Sequence, residues 1–239
     1  MGSQSQIHRQ AVRRMPQFAS LSQTVAAKPH ARSRLRNALW FIMLVLSLGV
    51  VGYATRFFLG KPSDEHFARY IVPLRFHIAG GMGALLAGPW QFSEGLRNRA
   101  LEFHRWIGRF YLLSVTLGSI AGFVMAMVSM EGLATHLGFG TLAVLWFATA
   151  VQAYRYALKG EIDLHRRWMI RNFALTLAAV TLRNWLPLML FALHWPFRAS
   201  YITVSWVCWV PNLLVAEWMV RRNPTSGPDY AGCKSPFDL

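Results

Sequence analysis

Six long apolar runs constrain this chain more than any other feature. A helix rises about 1.5 Å per residue, so about 20 apolar residues span the hydrocarbon core of a bilayer. Strands are not expected, because an open sheet edge leaves backbone polar groups unsatisfied in lipid. The runs lie near residues 39–59, 70–91, 106–128, 135–157, 168–192 and 200–220. The sequence therefore predicts an all-α fold, a six-helix transmembrane bundle.

Composition supports a membrane class and a simple organisation. The 239 residues are 54% hydrophobic and only 15% charged, which is too apolar for an ordinary soluble domain. Short loops predict one transmembrane domain over 38–222, flanked by disordered tails at 1–37 and 223–239. The first tail holds seven Lys or Arg and no acid. It is either a retained tail beside anionic lipid or an organellar transit peptide.

The net charge of +15 has a topological explanation. Of the 25 Lys and Arg, 19 fall on the side that holds both termini, five on the other side, and Arg183 lies within the fifth run. The positive-inside rule then predicts an inner (cell) membrane protein with both termini cytoplasmic. Membrane lipids are the expected partners and nucleic acid is not. The sequence does not fix the oligomeric state.

Four histidines lie within or just before four successive runs, the second to the fifth, and predict two pairs. His77 and His136 are expected at the outer end of the bundle, and His104 and His165 at the inner end. Two imidazoles that face each other at one depth can hold a flat metal cofactor such as haem. All four are therefore predicted metal ligands, carried by a four-helix core of the bundle.

Small residues share a face with two of these histidines. Gly80 and Gly88 follow His77, and Gly108 and Gly118 follow His104, at helical spacing. Such faces allow close approach by a neighbouring helix or by a flat macrocycle. Both alternatives remain open from the sequence.

Several polar residues are candidates to complete a cofactor site. Haem propionates require cationic partners when they are desolvated. Arg183 follows His165 by five helical turns, and a charge inside a span is functional by default, although a salt bridge or snorkelling is the structural alternative. Tyr111, Asn172 and Arg183 are also candidates for a quinone or lipid site. The predicted cofactor-binding residues are Arg75, Arg105, Arg109, Arg166, Arg183, Tyr111 and Asn172.

Three segments resemble a known family. They read FHIAGGMGALLAGPWQF (76–92), HRWIGRFY (104–111) and HRRWMIRNFALTLAAVTLRNW (165–185). These segments are similar to the hallmarks of a bacterial multi-pass membrane family, domain of unknown function 2306, over roughly residues 70–190.

The order of the histidine-bearing helices also resembles the two-haem transmembrane cytochromes b, such as the ascorbate-reducing ferrireductases. On that resemblance, His77 and His136 match the outer haem pair, and His104 and His165 match the inner pair. The resemblance implies two b-type haems, or the outer one alone.

The expected function is a transmembrane electron carrier with a quinol or small-molecule donor; whether it is an oxidoreductase enzyme stays open. No nucleotide motif is present, so a flavin or NAD would belong to a partner. The alternative is a non-haem multi-pass protein, either a small-solute or proton carrier or a scaffold. Its histidines and Arg183 would then be structural or form a single metal or quinone site, with imidazoles that titrate near neutral pH.

Overall fold

The computed structural model describes residues 29–59 and 68–222, and all regular secondary structure in these two ranges is helical. The predicted all-α class is therefore confirmed. The helices are α1 (Pro29–Ala54), α2 (Arg56–Leu59), α3 (Ile71–Gln91), α4 (Glu94–Arg99), α5 (Leu101–Met127), α6 (Leu133–Leu158), α7 (Ile162–Thr176), α8 (Ala178–Pro187), a π-helical turn (Leu188–Ala192), α9 (Phe197–Val207) and α10 (Val210–Arg222).

Within these ranges, six helical segments are long and apolar enough to cross a membrane. They are Asn37–Leu59, Ile71–Gln91, Leu101–Met127, Leu133–Leu158, Ile162–Ala192 and Phe197–Arg222, in agreement with the six apolar runs. The fifth segment comprises α7, α8 and the π-helical turn, which follows Pro187. A proline removes a backbone donor, and that loss explains a change of helical hydrogen bonding at this point.

The helical region extends beyond one predicted boundary. Helix α1 begins at Pro29, nine residues before the predicted start of the transmembrane domain. The rest of the predicted N-terminal tail and the whole predicted tail 223–239 lie outside the described residues. The chain divides at Ile42, within α1, and the unit from Met43 onward holds the helical bundle.

Two ends of this bundle carry different charges. The arginine-rich end is defined here by the chain between Gln91 and Leu101 and by the turn between Leu158 and Ile162. The arginine-poor end is defined by the start of α3, the turn between α5 and α6, and the π-helical turn. Many large apolar side chains are exposed on the helices between the two ends, for example Leu113, Ile120 and Phe147, as lipid contact requires.

Close packing of α3 against α5 and α7 is made possible by glycine. A Cβ on Gly80 would lie 2.5 Å from the Gly118 Cα and 2.6 Å from the Ser114 carbonyl oxygen, so the two backbones touch. A Cβ on Gly88 would collide with the Phe173 ring. The sequence left open whether these small residues allow close approach by a helix or by a macrocycle. At Gly80 and Gly88 the approaching group is a neighbouring helix.

A buried polar network fixes α5, α6 and α7 in the middle of the bundle. The Tyr111 hydroxyl donates to Asn172 Oδ1 at 2.6 Å and lies 2.9 Å from the Thr176 hydroxyl. Asn172 Nδ2 donates to the Trp146 carbonyl oxygen and to the Thr149 hydroxyl, at 2.7 and 2.8 Å. The Trp146 indole donates to Thr176. A network with this many satisfied groups fixes the register of the three helices.

Candidate functional site

The register between α5 and α7 places two histidines opposite each other at the arginine-rich end. Tyr111 and Asn172 are in direct hydrogen-bond contact, and the two helices run in the same direction. His104 precedes Tyr111 by seven residues, and His165 precedes Asn172 by seven residues. Seven residues are two helical turns, about 10 Å, on the same helix face. The two imidazoles therefore lie at one depth and interact electrostatically.

The imidazole rings of His104 and His165 differ in their hydrogen bonding. His165 Nδ1 donates to the Ala153 carbonyl oxygen on α6 at 2.8 Å. That bond orients the ring and directs Nε2 away from the carbonyl, as in histidines that ligate metals. His104 Nδ1 is buried and has no hydrogen-bond partner among the described residues. The pair thus offers nitrogen atoms that the protein itself does not saturate.

Cationic side chains lie beside the histidine pair. Arg97 and Arg105 are close enough to His104 to interact with it electrostatically. Arg109 lies one turn further along α5, with its guanidinium 5.0 Å from the Trp106 ring centroid. Arg105 and Arg166 are both exposed at this end of the bundle. Of the arginines predicted to bind a cofactor, Arg105 is therefore the one that interacts with the histidine pair.

His77, by contrast, is held against α5 in the interior. Its Nδ1 donates to the Gly118 carbonyl oxygen at 2.8 Å. A Cβ on Gly122 would lie 2.7 Å from the same nitrogen, so the ring occupies the space that this glycine leaves. His77 therefore lies level with the stretch from Gly118 to Gly122.

His136 lies further towards the arginine-poor end, in the first turn of α6. Its Nε2 donates to the Ser129 carbonyl oxygen at 2.8 Å and closes the turn between α5 and α6. Ser129 follows Gly118 by eleven residues, which is roughly 15 Å along a helix.

The predicted pairing of His77 with His136 stays a prediction, and the hydrogen bonds of the two rings lie at different depths. Each ring is bonded to a carbonyl 2.8 Å away, and those two carbonyls are separated by about eleven residues of α5 and its turn. The two bonded nitrogens are therefore about 10 Å apart at the least. Two imidazole nitrogens on one metal are only about 4 Å apart, twice a metal–nitrogen bond of about 2.0 Å. Different axial depths thus separate these two predicted ligands.

Arg183 belongs to the arginine-poor end. Its Nη1 donates to the Ala179 carbonyl oxygen at 2.8 Å, and its Nε is buried without a hydrogen-bond partner in the described chain. Its guanidinium carbon lies 5.6 Å from the centroid of the Tyr53 ring. Eighteen residues separate it from His165, about 27 Å along the helical axis. Arg183 therefore does not join the histidine pair.

The predicted quinone or lipid site of Tyr111, Asn172 and Arg183 is only partly assembled. Tyr111 and Asn172 are fully buried and bond each other, whereas Arg183 lies elsewhere.

Arg75 is exposed on α3. Among the described residues, no group of three or more His, Cys, Asp or Glu side chains could hold a metal ion. A bare metal that requires four protein ligands is not what the described side chains are arranged to bind.

Two residues near Arg183 were missed by sequence reasoning. Tyr53 and Arg56 lie at the end of the first span and surround Arg183 with an aromatic ring and a second positive charge. Their spacing of three residues on a helical segment was a usable signal, because it allows a guanidinium to stack on a ring.

The fold and the distribution of apolar surface define a multi-pass α-helical membrane protein. The family described as predicted membrane protein (DUF2306) matches residues 74–220, more than half of the chain and a stretch that contains all four histidines. The chain belongs to this family. No curated protein and no solved structure matches it. The likeness to two-haem cytochromes b therefore stays a prediction.

Proposed function

We propose that this protein is a membrane electron carrier with one b-type haem, whose iron is ligated by His104 and His165 at the arginine-rich end. The observation that carries the proposal is the α5–α7 register. A buried hydrogen bond, Tyr111 to Asn172, lies two turns beyond each histidine and sets the two rings at one depth.

The donor set suits haem better than a bare ion. Structural zinc requires four protein ligands, and this end offers two imidazoles. The porphyrin supplies four nitrogens of its own, so a haem iron needs only two axial ligands from the protein. The Ala153 carbonyl orients the His165 ring, and the unsatisfied Nδ1 of His104 is consistent with a ring that a ligand engages.

The arginines near the pair supply the charge that such a cofactor needs. Arg97 and Arg105 lie beside His104 and are candidates to bind the two propionates. When bound, the haem would supply reversible one-electron exchange. The protein would fix the axial ligands, exclude water through the buried network above them, and leave the exposed arginines to receive a donor such as a quinol.

The experiment is an absorbance spectrum of the full chain purified from haem-supplemented cells. We expect a Soret band that shifts on reduction with dithionite. His104→Ala and His165→Ala should each remove it, whereas His136→Ala, the matched control, should retain it. His165→Met should move the band and not abolish it, because a thioether is also an axial ligand.

Two results would contradict the haem proposal. One is a colourless wild-type protein that is folded by size-exclusion chromatography. The other is a Soret band that survives both His104→Ala and His165→Ala. Either result would favour the alternative of a non-haem membrane protein with structural histidines, which the backbone hydrogen bonds of His77 and His136 also permit.

The same proposal places the arginine-rich end at the cytoplasmic face of a cell membrane, with both termini inside. The uneven distribution of Lys and Arg supports this orientation. A membrane-impermeant maleimide tests it in Cys208→Ser protein, where Cys233 is the remaining thiol. We expect labelling in inverted vesicles and protection in intact cells, and the reverse pattern would overturn the orientation.

A further inference from the structure

Two guanidinium groups share one aromatic ring at the arginine-poor end. The Arg56 guanidinium carbon lies 3.9 Å from the Tyr53 ring centroid, and that of Arg183 lies 5.6 Å from the same centroid. Arg56 also donates to the Tyr53 hydroxyl. The two arginines come from different spans and meet at this ring.

No carboxylate in the described part of the chain neutralises these two charges. The ion pairs found there join Arg171 and Arg221 to Glu217, and Arg198 to Glu131. Arg56 instead repels Arg183 electrostatically, and His77 lies near the same guanidinium. Holding like charges together at membrane depth is costly unless something of opposite charge is bound.

The hydrogen bonding of Arg183 also indicates that a bound acceptor would be favourable here. A guanidinium has five N–H donors. Within the described residues, Nη1 of Arg183 donates to a backbone carbonyl, whereas Nε of Arg183 is buried without a partner. A buried donor left unsatisfied destabilises the folded protein. An acceptor at this position would remove that cost and the charge repulsion together.

We propose that Arg183 and Arg56, framed by Tyr53, form a binding site for a phosphate group. The planar fork of arginine matches phosphate oxygens, and a phosphate offers more acceptor oxygens than a carboxylate for two guanidinium groups. Arg183 lies nine residues before Ala192, about 13 Å from the end of its span, so the site is reached from the arginine-poor surface. The phosphate belongs to a phospholipid headgroup or is free in solution.

This site is independent of the proposed haem. Along the fifth span, Arg183 lies about 27 Å from His165, so loss of either arginine should leave any haem spectrum unchanged. The two proposals can therefore fail separately.

The test uses the purified full chain in a non-ionic detergent and four variants. Arg183→Gln and Arg56→Gln remove one fork each, and Arg183→Lys keeps the charge without the fork. Arg69→Gln is the matched control, because Arg69 is an exposed arginine that precedes α3 at the same end. Native mass spectrometry counts retained phospholipid. Thermal unfolding with inorganic phosphate, against chloride at equal ionic strength, reports free phosphate.

The two measurements distinguish the sources of phosphate. A retained phospholipid that is lost in Arg183→Gln and Arg56→Gln but kept in Arg69→Gln identifies a headgroup. A phosphate-dependent rise in unfolding temperature with the same variant pattern identifies the free ion. We expect at least a tenfold loss of affinity in either Gln variant and a smaller loss in Arg183→Lys.

Identical retention and identical thermal shifts in all four variants and the wild type would overturn the proposal. Arg56 is exposed, so Arg56→Gln is expected to fold even where Arg183→Gln does not. Binding that is insensitive to Arg56→Gln would overturn it as well.

Discussion

Gly80 and Gly81 are neighbours on α3 with opposite surroundings, and replacing each with alanine should have opposite effects. A Cβ on Gly80 would lie 2.5 Å from the Gly118 Cα and 2.6 Å from the Ser114 carbonyl oxygen. A Cβ on Gly81 would meet no atom within 4 Å. Both substitutions gain the same helix propensity, about 1 kcal/mol over glycine. Any difference between them therefore measures the steric cost alone.

The magnitude follows from what the added methyl group touches. At Gly80 the obstacles are backbone atoms of α5, which cannot rotate away as a side chain can, so the two helices must separate. Overpacking of this kind costs about 1–3 kcal/mol. At about 2–4 °C per kcal/mol for a chain of this size, Gly80→Ala should unfold roughly 2–12 °C below Gly81→Ala.

The assay is thermal unfolding of both variants in the same detergent, followed by tryptophan fluorescence or circular dichroism. We expect Gly81→Ala to unfold at or above the wild-type temperature. Equal unfolding temperatures for the two variants would refute the reasoning, because they would show that the backbones of α3 and α5 leave room for a methyl group at Gly80.

Three further predictions concern stability and access. Tyr111→Phe should lower the free energy of unfolding by about 1–3 kcal/mol, measured by the same assay, because it removes the donor to the buried Asn172 Oδ1 and a hydrogen-bond partner of the Thr176 hydroxyl. Glu217→Gln should cost about 0.5–1 kcal/mol, since its two arginine contacts are partly exposed, whereas Arg198→Gln should cost almost nothing, because the Arg198 side chain is largely exposed and its contact with Glu131 is long, at 3.6 Å. In Cys233→Ser protein, the buried Cys208 should resist a thiol reagent until the protein is denatured, as mass spectrometry would show.

Most of the fold was predictable because hydropathy reports directly on burial in lipid. The six apolar runs coincide with the six helical segments. The predicted histidine pairs stay predictions, because they depend on the axial shift between neighbouring helices, which hydropathy does not give. The contacts of Gly80 with Gly118 and of Tyr111 with Asn172 are examples of interactions that fix such a shift.

Arg183 shows that helical periodicity does not predict which residues from other spans surround a side chain. Helical spacing relates it to His165 along the fifth span, but the spacing says nothing about the neighbours that other spans supply. Its neighbours come from the end of the first span, more than 120 residues earlier in the chain. No local pattern in a single sequence reports a contact of that separation.

Hydrogen bonding differs between the buried network and the two ends of the bundle. In the network, Tyr111, Asn172 and Thr176 satisfy one another and the Trp146 indole. Towards the ends, His104 Nδ1 and Arg183 Nε are buried nitrogens without partners in the described chain. Burial of such groups is costly, and each of the two proposed ligands would reduce that cost at its own end. The two proposals therefore rest on the same physical argument, applied to different residues.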